Sequence, residues 1–383
     1  MIFDFSKTPQ ILFGAGSALQ VGEKADEFGC KKVICITDKG VKEAGIVNRV
    51  IKTLEEAKIK TILYDNSLPD APDYIVEECA KIAKNEEVDG VIGVGGGSSL
   101  DVAKGVNVIL GNPSPITRYH DKSIKLKPGK TLMLIPTTAG TGSEVSTVAV
   151  VTDTKNNKKG GVLGESCISA LSIIDPELVV GLPPSITAAT GMDALSHAVE
   201  AYTSSMANLN SDMRAEKAIA LVNQYLPISV KNGSDITART FMCFSAMLGG
   251  MNLNDAMPHL GHAIAHTMGA KLNISHGIAC AIALPEVVEY ISDAVPEKIK
   301  FIGEVFGLKL GNVTAKEMGG KVAEAIRSFS KELGMPTLKE LKIEKAALEP
   351  VAAEVLNDDC APFVPKKITV DEILKLLHNA YDL

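Results

Sequence analysis

Four of the seven histidines in this chain fall between residues 259 and 276. His262 and His266 are four apart, a spacing that puts two side chains on one face of a helix. Asp193 and His197 repeat that spacing earlier in the chain, and His276 follows His266 after a break. An acid and imidazoles supplied by two helices and a loop are a common way to build a site for a divalent ion. A histidine pair alone is more often a surface or capping feature. The pattern gains weight because a loop of the nucleotide-binding type lies upstream.

That loop is Gly93-Val94-Gly95-Gly96-Gly97-Ser98-Ser99-Leu100-Asp101. It follows an apolar run and opens a helical pattern. Glycines let the backbone approach a phosphate, and the free N–H groups and positive end of the helix bind the anion. The bland alternative is a tight turn with no ligand, and the spelling differs from G-x-G-x-x-G. Asp38 ends an earlier apolar run. An acid there accepts hydrogen bonds from an adenosine ribose and repels a 2′-phosphate, which favours NAD over NADP. Its bland role is a helix N-cap. A third segment, residues 136–144, presents four hydroxyls and two glycines after another apolar run. In open α/β sheets, ligands bind at such carboxyl ends of strands.

The elements that must hold these residues differ between the two halves. Apolar runs at 32–38, 60–65, 88–94 and 131–136 alternate with helical patterns at 47–57, 74–85 and 100–110. Continuous apolar strands between amphipathic helices predict a parallel sheet covered on both faces. After Ile173-Ile174-Asp175-Pro176 the patterns are long and helical: 188–204, 213–225, 236–251, 259–269, 297–306, 314–333 and 370–380. The expected organisation is an α/β dinucleotide-binding domain over 1–178 and an all-α metal-binding domain over 179–383.

Composition narrows the function classes. With 383 residues, 46% apolar and 22% charged, the chain has the make-up of a globular protein of about two domains. A net charge of −7, no tryptophan and 4% aromatics argue against a nucleic-acid partner. No run of 18 apolar residues suggests a membrane span. Met1–Lys7 lacks the basic-then-apolar pattern of a leader. The seven scattered cysteines, none in a C-x-x-C pair, read as reduced thiols of a cytoplasmic protein.

Taken together, Gly95-Gly96-Gly97-Ser98-Ser99-Leu100-Asp101, residues 136–145, Asp193-x-x-x-His197 and His262-x-x-x-His266-x9-His276-Gly277 resemble the iron-containing (group III) alcohol dehydrogenases. The resemblance runs from about Pro9 to the C-terminus. It implies a dehydroquinate-synthase-like fold and NAD- and metal-dependent interconversion of a small primary alcohol or diol and its aldehyde. It implies metal ligands at Asp193, His197, His262 and His276, with His266 as a proton relay beside the nicotinamide. The cofactor positions implied are Asp38, Gly97, Ser98, Asp101, Thr137, Thr138, Thr141 and Lys159. On its own Lys159 reads as a solvated loop lysine. Fe²⁺ is the metal implied, with Zn²⁺ accepting the same ligands, and a homodimer or larger homo-oligomer is expected. His259 reads as a capping residue or a neighbour of the ligands.

Departures from the family wording bear on substrate. Phe363-Val364-Pro365-Lys366 stands where many relatives carry Asn-Pro-Arg, and the stretch 254–260 is also atypical. The chain has only five arginines and none lies in a motif. Since arginine is the usual clamp for carboxylate or phosphate, a small uncharged alcohol is expected. Rival readings are a zinc-dependent glycerol or diol dehydrogenase, a 4-hydroxybutyrate-type hydroxy-acid dehydrogenase and, more remotely, a metal-dependent lyase.

Overall fold

The apolar runs form one parallel sheet. The computed structural model describes residue 5 and residues 7–382; the rest of the segment read for a leader, and Leu383, lie outside the described residues. Six strands line up as β1 (Gln10–Phe13), β8 (Leu171–Ile174), β5 (Thr131–Pro136), β4 (Gly90–Gly95), β2 (Lys32–Ile36) and β3 (Lys60–Tyr64), every neighbouring pair parallel. Between β5 and β8 in sequence, β6 (Val148–Asp153) and β7 (Lys158–Leu163) form a separate antiparallel hairpin. The helices of this half are α1 (Val21–Glu27), α2 (Lys39–Glu43), α3 (Ile46–Glu56), α4 (Asp73–Asn85) and α5 (Gly97–Gly111).

Alternate side chains of each strand leave the pleat on opposite faces. Val33, Cys35, Met133 and Ile135 pack with α1 and α3, and Ile34, Ile36, Leu132 and Leu134 with α4 and α5. Both faces are covered, so the strands read as continuous apolar runs rather than alternating ones. The chain moves outward from β2 to β3, then returns to place β4 on the other side of β2. The order reverses there, and Asp38 and the glycine cluster follow the carboxyl ends of β2 and β4. This is the switch point at which open α/β sheets bind ligands.

No strand occurs after β8 among the described residues. The second half is α6 (Pro184–Thr203), α7 (Leu209–Lys231), α8 (Ile236–Asp255), α9 (Leu260–Leu272), α10 (His276–Ile291), α11 (Pro296–Val305), α12 (Ala315–Glu332), α13 (Leu348–Val355) and α14 (Val370–Asp382). Residues 7–181 and 182–382 pack as two units, each with its own interior. The sequence pattern picks out neither α10 nor α13. As a result His276, expected on a loop, is in fact the first residue of a helix. Among the described residues no helix is long and apolar enough to cross a membrane.

Candidate metal centre and nucleotide loop

The metal centre begins with α6. Fifteen of its twenty residues are buried, among them Asp193, His197 and Glu200. These sit at i, i+4 and i+7 and so share one face. α9 brings His262 to that face, and α10 begins with His276. Gly277 permits the close approach of α10: a Cβ there would lie 2.2 Å from the Ala189 carbonyl oxygen on α6.

Three imidazoles converge on one carboxylate oxygen. Asp193 Oδ1 lies 3.3 Å from His276 Nε2, 3.7 Å from His262 Nε2 and 3.9 Å from His197 Nδ1. The His197 and His262 rings stack with centroids 4.4 Å apart. His197 Nδ1 and His262 Nε2 are buried with no hydrogen-bond partner. Unpaired buried polar atoms are costly, so this arrangement calls for a further group between them. A divalent ion fits. Donors bound at about 2.1 Å in a tetrahedron stand about 3.4 Å apart, close to the separations found. Four donors lie within 4.8 Å of one another, and they come from Asp193, His262, His276 and Cys280. The structure therefore brings together three of the four ligands implied by the resemblance. It adds a sulfur and sets His197 against this group rather than among its four atoms.

Glu200 organises the centre from behind. Its Oε2 accepts the backbone N–H of His259 at 2.7 Å, Gly261 at 3.0 Å and His262 at 3.2 Å. Its Oε1 accepts from His262 Nδ1–H at 2.8 Å. That bond orients the ring and turns Nε2 toward Asp193, the usual work of a carboxylate behind a metal-binding histidine. The charges reinforce one another. Burial alone would lift the Asp193 carboxyl, but the charges of His197 and His276 and polar contacts with His262 and His276 hold it well below the usual carboxylate range. Burial likewise opposes charge on Glu200, yet His262 and His259 bring it down to about 2. Burial would lower His262; Glu200 and Asp193 instead push it up to about 10. Burial takes His197 down to about 4. With Nδ1–H held by Glu200, His262 would offer Nε2 to a divalent ion as a neutral imidazole, since metal ligands bind deprotonated.

His266, one turn beyond His262, belongs to a second group. Its Nδ1–H donates to Asp358 Oδ2 at 3.0 Å, and Asp358 Oδ1 accepts from the Cys360 N–H at 2.9 Å. Asp358 is held below the usual carboxylate range; burial opposes this, and the charge and hydrogen bond of His266 outweigh it. With Nδ1 so engaged, Nε2 is the ring's proton acceptor. The His266 ring stacks on His276 at 5.2 Å. His259 occupies the N-cap position of α9, but its side chain makes no cap bond. It is fully buried, with Nε2 2.9 Å from the Thr203 hydroxyl.

Glu200 carries a signal in the sequence: an acid three residues after His197, on a helix whose neighbours are apolar. Cys280 stands four after His276, a spacing that acquires meaning only once α10 is known to begin at His276. Asp358 is 92 residues from His266 and has no local signal.

In the first unit the glycine cluster opens α5 at Gly97. A Cβ on Gly97 would lie 2.7 Å from Thr141 Cγ2, so the glycine loop and the hydroxyl loop are packed together. Thr137 N–H donates to the Gly95 carbonyl at 2.9 Å, and Thr138 flanks Gly96. Thr141 Oγ1 accepts from Ser143 N–H at 3.2 Å. Asp101 accepts from the Ser143 hydroxyl at 2.7 Å and from Val150 N–H at 3.2 Å. Ser98 Oγ accepts from Asp70 N–H at 3.0 Å, and Asp70 pairs with Lys159 at 2.6 Å. Lys159 is thus not a solvated loop lysine: it stands in β7 with its side chain 10% exposed. Asp38 is the N-cap of α2 and also faces the glycine loop. Oδ1 caps α2 at Val41 N–H, and Oδ2 accepts from the Ser99 hydroxyl at 3.1 Å. A cavity of about 460 Å³ opens beside it, lined by Asp38, Lys39, Asn66, Ser67, Ile75 and Glu78 among others.

Comparison with known proteins covers both halves. Residues 8–176 match the model of iron-containing alcohol dehydrogenase, and residues 187–381 that of the Fe-containing alcohol dehydrogenase family, C-terminal. The NAD-dependent methanol dehydrogenase of Bacillus methanolicus is 32% identical over 98% of this chain and 99% of its own. A crystal structure of a 1,3-propanediol oxidoreductase superposes with a TM-score of 0.95 at 34% identity, covering 100% of both chains. The sulfoacetaldehyde reductase of Bifidobacterium kashiwanohense, solved with NAD⁺, gives 0.88 at 29% identity over 100% of this chain and 99% of that one.

Proposed function

Because the chain belongs to the iron-containing alcohol dehydrogenase family, oxidoreductases interconverting alcohols or diols and their aldehydes, we propose that its substrate is a small uncharged primary alcohol or diol, with NAD as hydride carrier. The observation that carries the reading is the convergence of three imidazoles on Asp193 Oδ1. Asp193, His197, His262 and His276 would hold a divalent ion. Such an ion supplies Lewis acidity that polarises the substrate oxygen. The nicotinamide supplies the hydride chemistry.

The chain's own residues do the rest. Glu200 fixes the tautomer and tilt of His262. Asp358 holds His266 Nδ1, so that Nε2 accepts the alcohol proton on oxidation and returns it on reduction. Gly97, Ser98, Asp101, Thr137, Thr138, Thr141 and Lys159 form the loop cluster that would take the pyrophosphate and neighbouring groups. Asp38 and Glu78 line one cavity, and their charge disfavours a 2′-phosphate there.

A charged substrate is disfavoured because four of the five arginines are already engaged. Arg214 pairs with Asp255, Arg327 with Glu286 and Arg49 with Glu177, while Arg239 donates to Thr187 and to the carbonyls of Gly233 and Leu182. Leu209 and Met213 expose 74% and 64% of their surface on one face of α7, which supports a homo-oligomer. Seven buried free thiols fit a reducing compartment, the cytoplasm.

The test follows nicotinamide absorbance with NADH and butanal, then with a panel of alcohols, before and after metal removal and re-addition. Turnover that needs the ion and prefers NADH supports the proposal. Turnover unaffected by chelation, or preference for an anionic substrate, overturns it.

A further inference from the structure

Cys280 stands one helical turn after His276 on α10 and is 1% exposed. Its Sγ lies 3.6 Å from Asp193 Oδ1 and 3.7 Å from His276 Nε2. A sulfur bound at about 2.3 Å and a nitrogen or oxygen bound at about 2.1 Å to one tetrahedral ion stand about 3.6 Å apart. The four donor atoms of Asp193, His262, His276 and Cys280 all lie within 4.8 Å of one another. His262 Nε2 supports this set independently: it is buried, unpartnered and 3.7 Å from the same Asp193 oxygen.

We propose that Cys280 is a sulfur donor to the divalent ion held by this centre, and that its sulfur biases the centre from ferrous iron toward zinc. The proposal rests on the metal reading above and deepens it. Without the ion the thiol donates to Asp193. As the sulfur–metal bond forms, the thiol proton leaves to solvent, since the thiolate is the ligand form. Thiolate is softer than carboxylate or imidazole, and soft donors favour zinc over ferrous iron beyond the difference already set by the general affinity order. One carboxylate oxygen and three imidazole nitrogens would hold either metal; the added sulfur tips the choice.

Two readouts test this without turnover. Metal-free protein is titrated with Co²⁺ while the near-ultraviolet sulfur-to-cobalt charge-transfer band is followed. Separately, it is dialysed against equal Zn²⁺ and Fe²⁺ under anaerobic conditions and its metal content measured. The wild-type protein should develop the band to saturation at one ion per chain and take up zinc in preference to iron. Cys280→Ser and Cys280→Ala should still bind cobalt but lose the band. Their zinc-over-iron ratio should fall at least about tenfold, the lower range of what even outer partners of a metal command. Bound cobalt without the band in wild-type protein overturns the assignment of Cys280 and leaves the metal centre standing. So does a band that survives in Cys280→Ser. No cobalt binding at all overturns the metal centre itself.

Discussion

Buried acids behave in opposite ways in the two halves of this chain. Beside the glycine loop, burial pushes Asp101 up to about 6 and Glu144 up to about 7. In the helical half, Glu200 is brought down to about 2 and Asp193 well below the usual range, although burial works against both. The difference lies in the company. Asp101 meets a serine hydroxyl and a backbone N–H, with Lys104 its principal counter-charge, while Glu200 and Asp193 face imidazoles. A loop suited to a polyanion gains from acids that give up charge readily, and its attraction comes from backbone N–H groups and a helix end. A centre suited to a cation gains from acids that keep their charge. The first works mainly through the backbone, and the second through side chains.

The largest test of that contrast is His262→Ala. It removes a donor and strips Glu200 of its buried positive partner, so tight metal binding and turnover should both disappear. Loss of the buried pair should also cost about 3–5 kcal/mol of stability. Elemental analysis and thermal melting decide; full metal content with full activity would remove His262 from the centre.

Next in size is His266→Ala. If His266 acts on protons and not on the metal, the variant should keep stoichiometric metal and bind NADH. Its turnover should fall about 10²- to 10⁴-fold, with partial recovery in added imidazole. Asp358→Ala should cost less, lowering kcat with KM and metal unchanged, since the ring remains but loses its anchor. Metal lost in step with activity would make His266 a ligand and blur the boundary between the two groups.

These sites were not equally legible in the sequence. The glycine loop, the hydroxyl loop and Asp38 each sit within a few residues of a strand end, so local spacing exposes them. Asp193, His197, His262 and His266 show because helical spacing repeats in both pairs. Asp358 does not, because tertiary packing alone brings it to His266. Cys280 stays hidden because the 276–291 run is apolar all round and carries no helical period to announce α10. Lys159 reads as loop because β6 and β7 flank a short polar turn. β1, four residues long and partly exposed, gives no strand signal.

A third test bears on the acids of the α/β half. Glu144 is raised in the fold, so its contribution to stability is fully present below about pH 4.5 and is lost as pH rises through about 7. Glu144→Gln keeps the shape without the titration. Between about pH 5 and about pH 8 the unfolding free energy of wild type should fall by up to roughly 3 kcal/mol more than that of the variant, read from denaturant melts. Equal pH dependence in both would mean that Glu144 carries its charge in the fold, as the acids of the metal centre do.

The smallest expected effect concerns Asp38, which caps a helix and faces the glycine loop at once. Its Oδ1 caps α2 and its Oδ2 holds the Ser99 hydroxyl. Asp38→Gly separates the two roles. Glycine at an N-cap costs only a few tenths of a kcal/mol, whereas alanine costs about 1. The melting temperature should therefore scarcely move. Loss of the carboxylate removes the repulsion of a 2′-phosphate, so the ratio of kcat/KM with NADPH to that with NADH should rise. Ser99→Ala is the control: it deletes one hydrogen bond and leaves the charge, and the cofactor ratio should stay as in wild type. A wild-type enzyme that prefers NADPH, or an Asp38→Gly variant with an unchanged ratio, would reduce Asp38 to a helix cap. Recognition at this loop would then rest on the backbone alone, a sharper contrast with the metal centre than the one argued here.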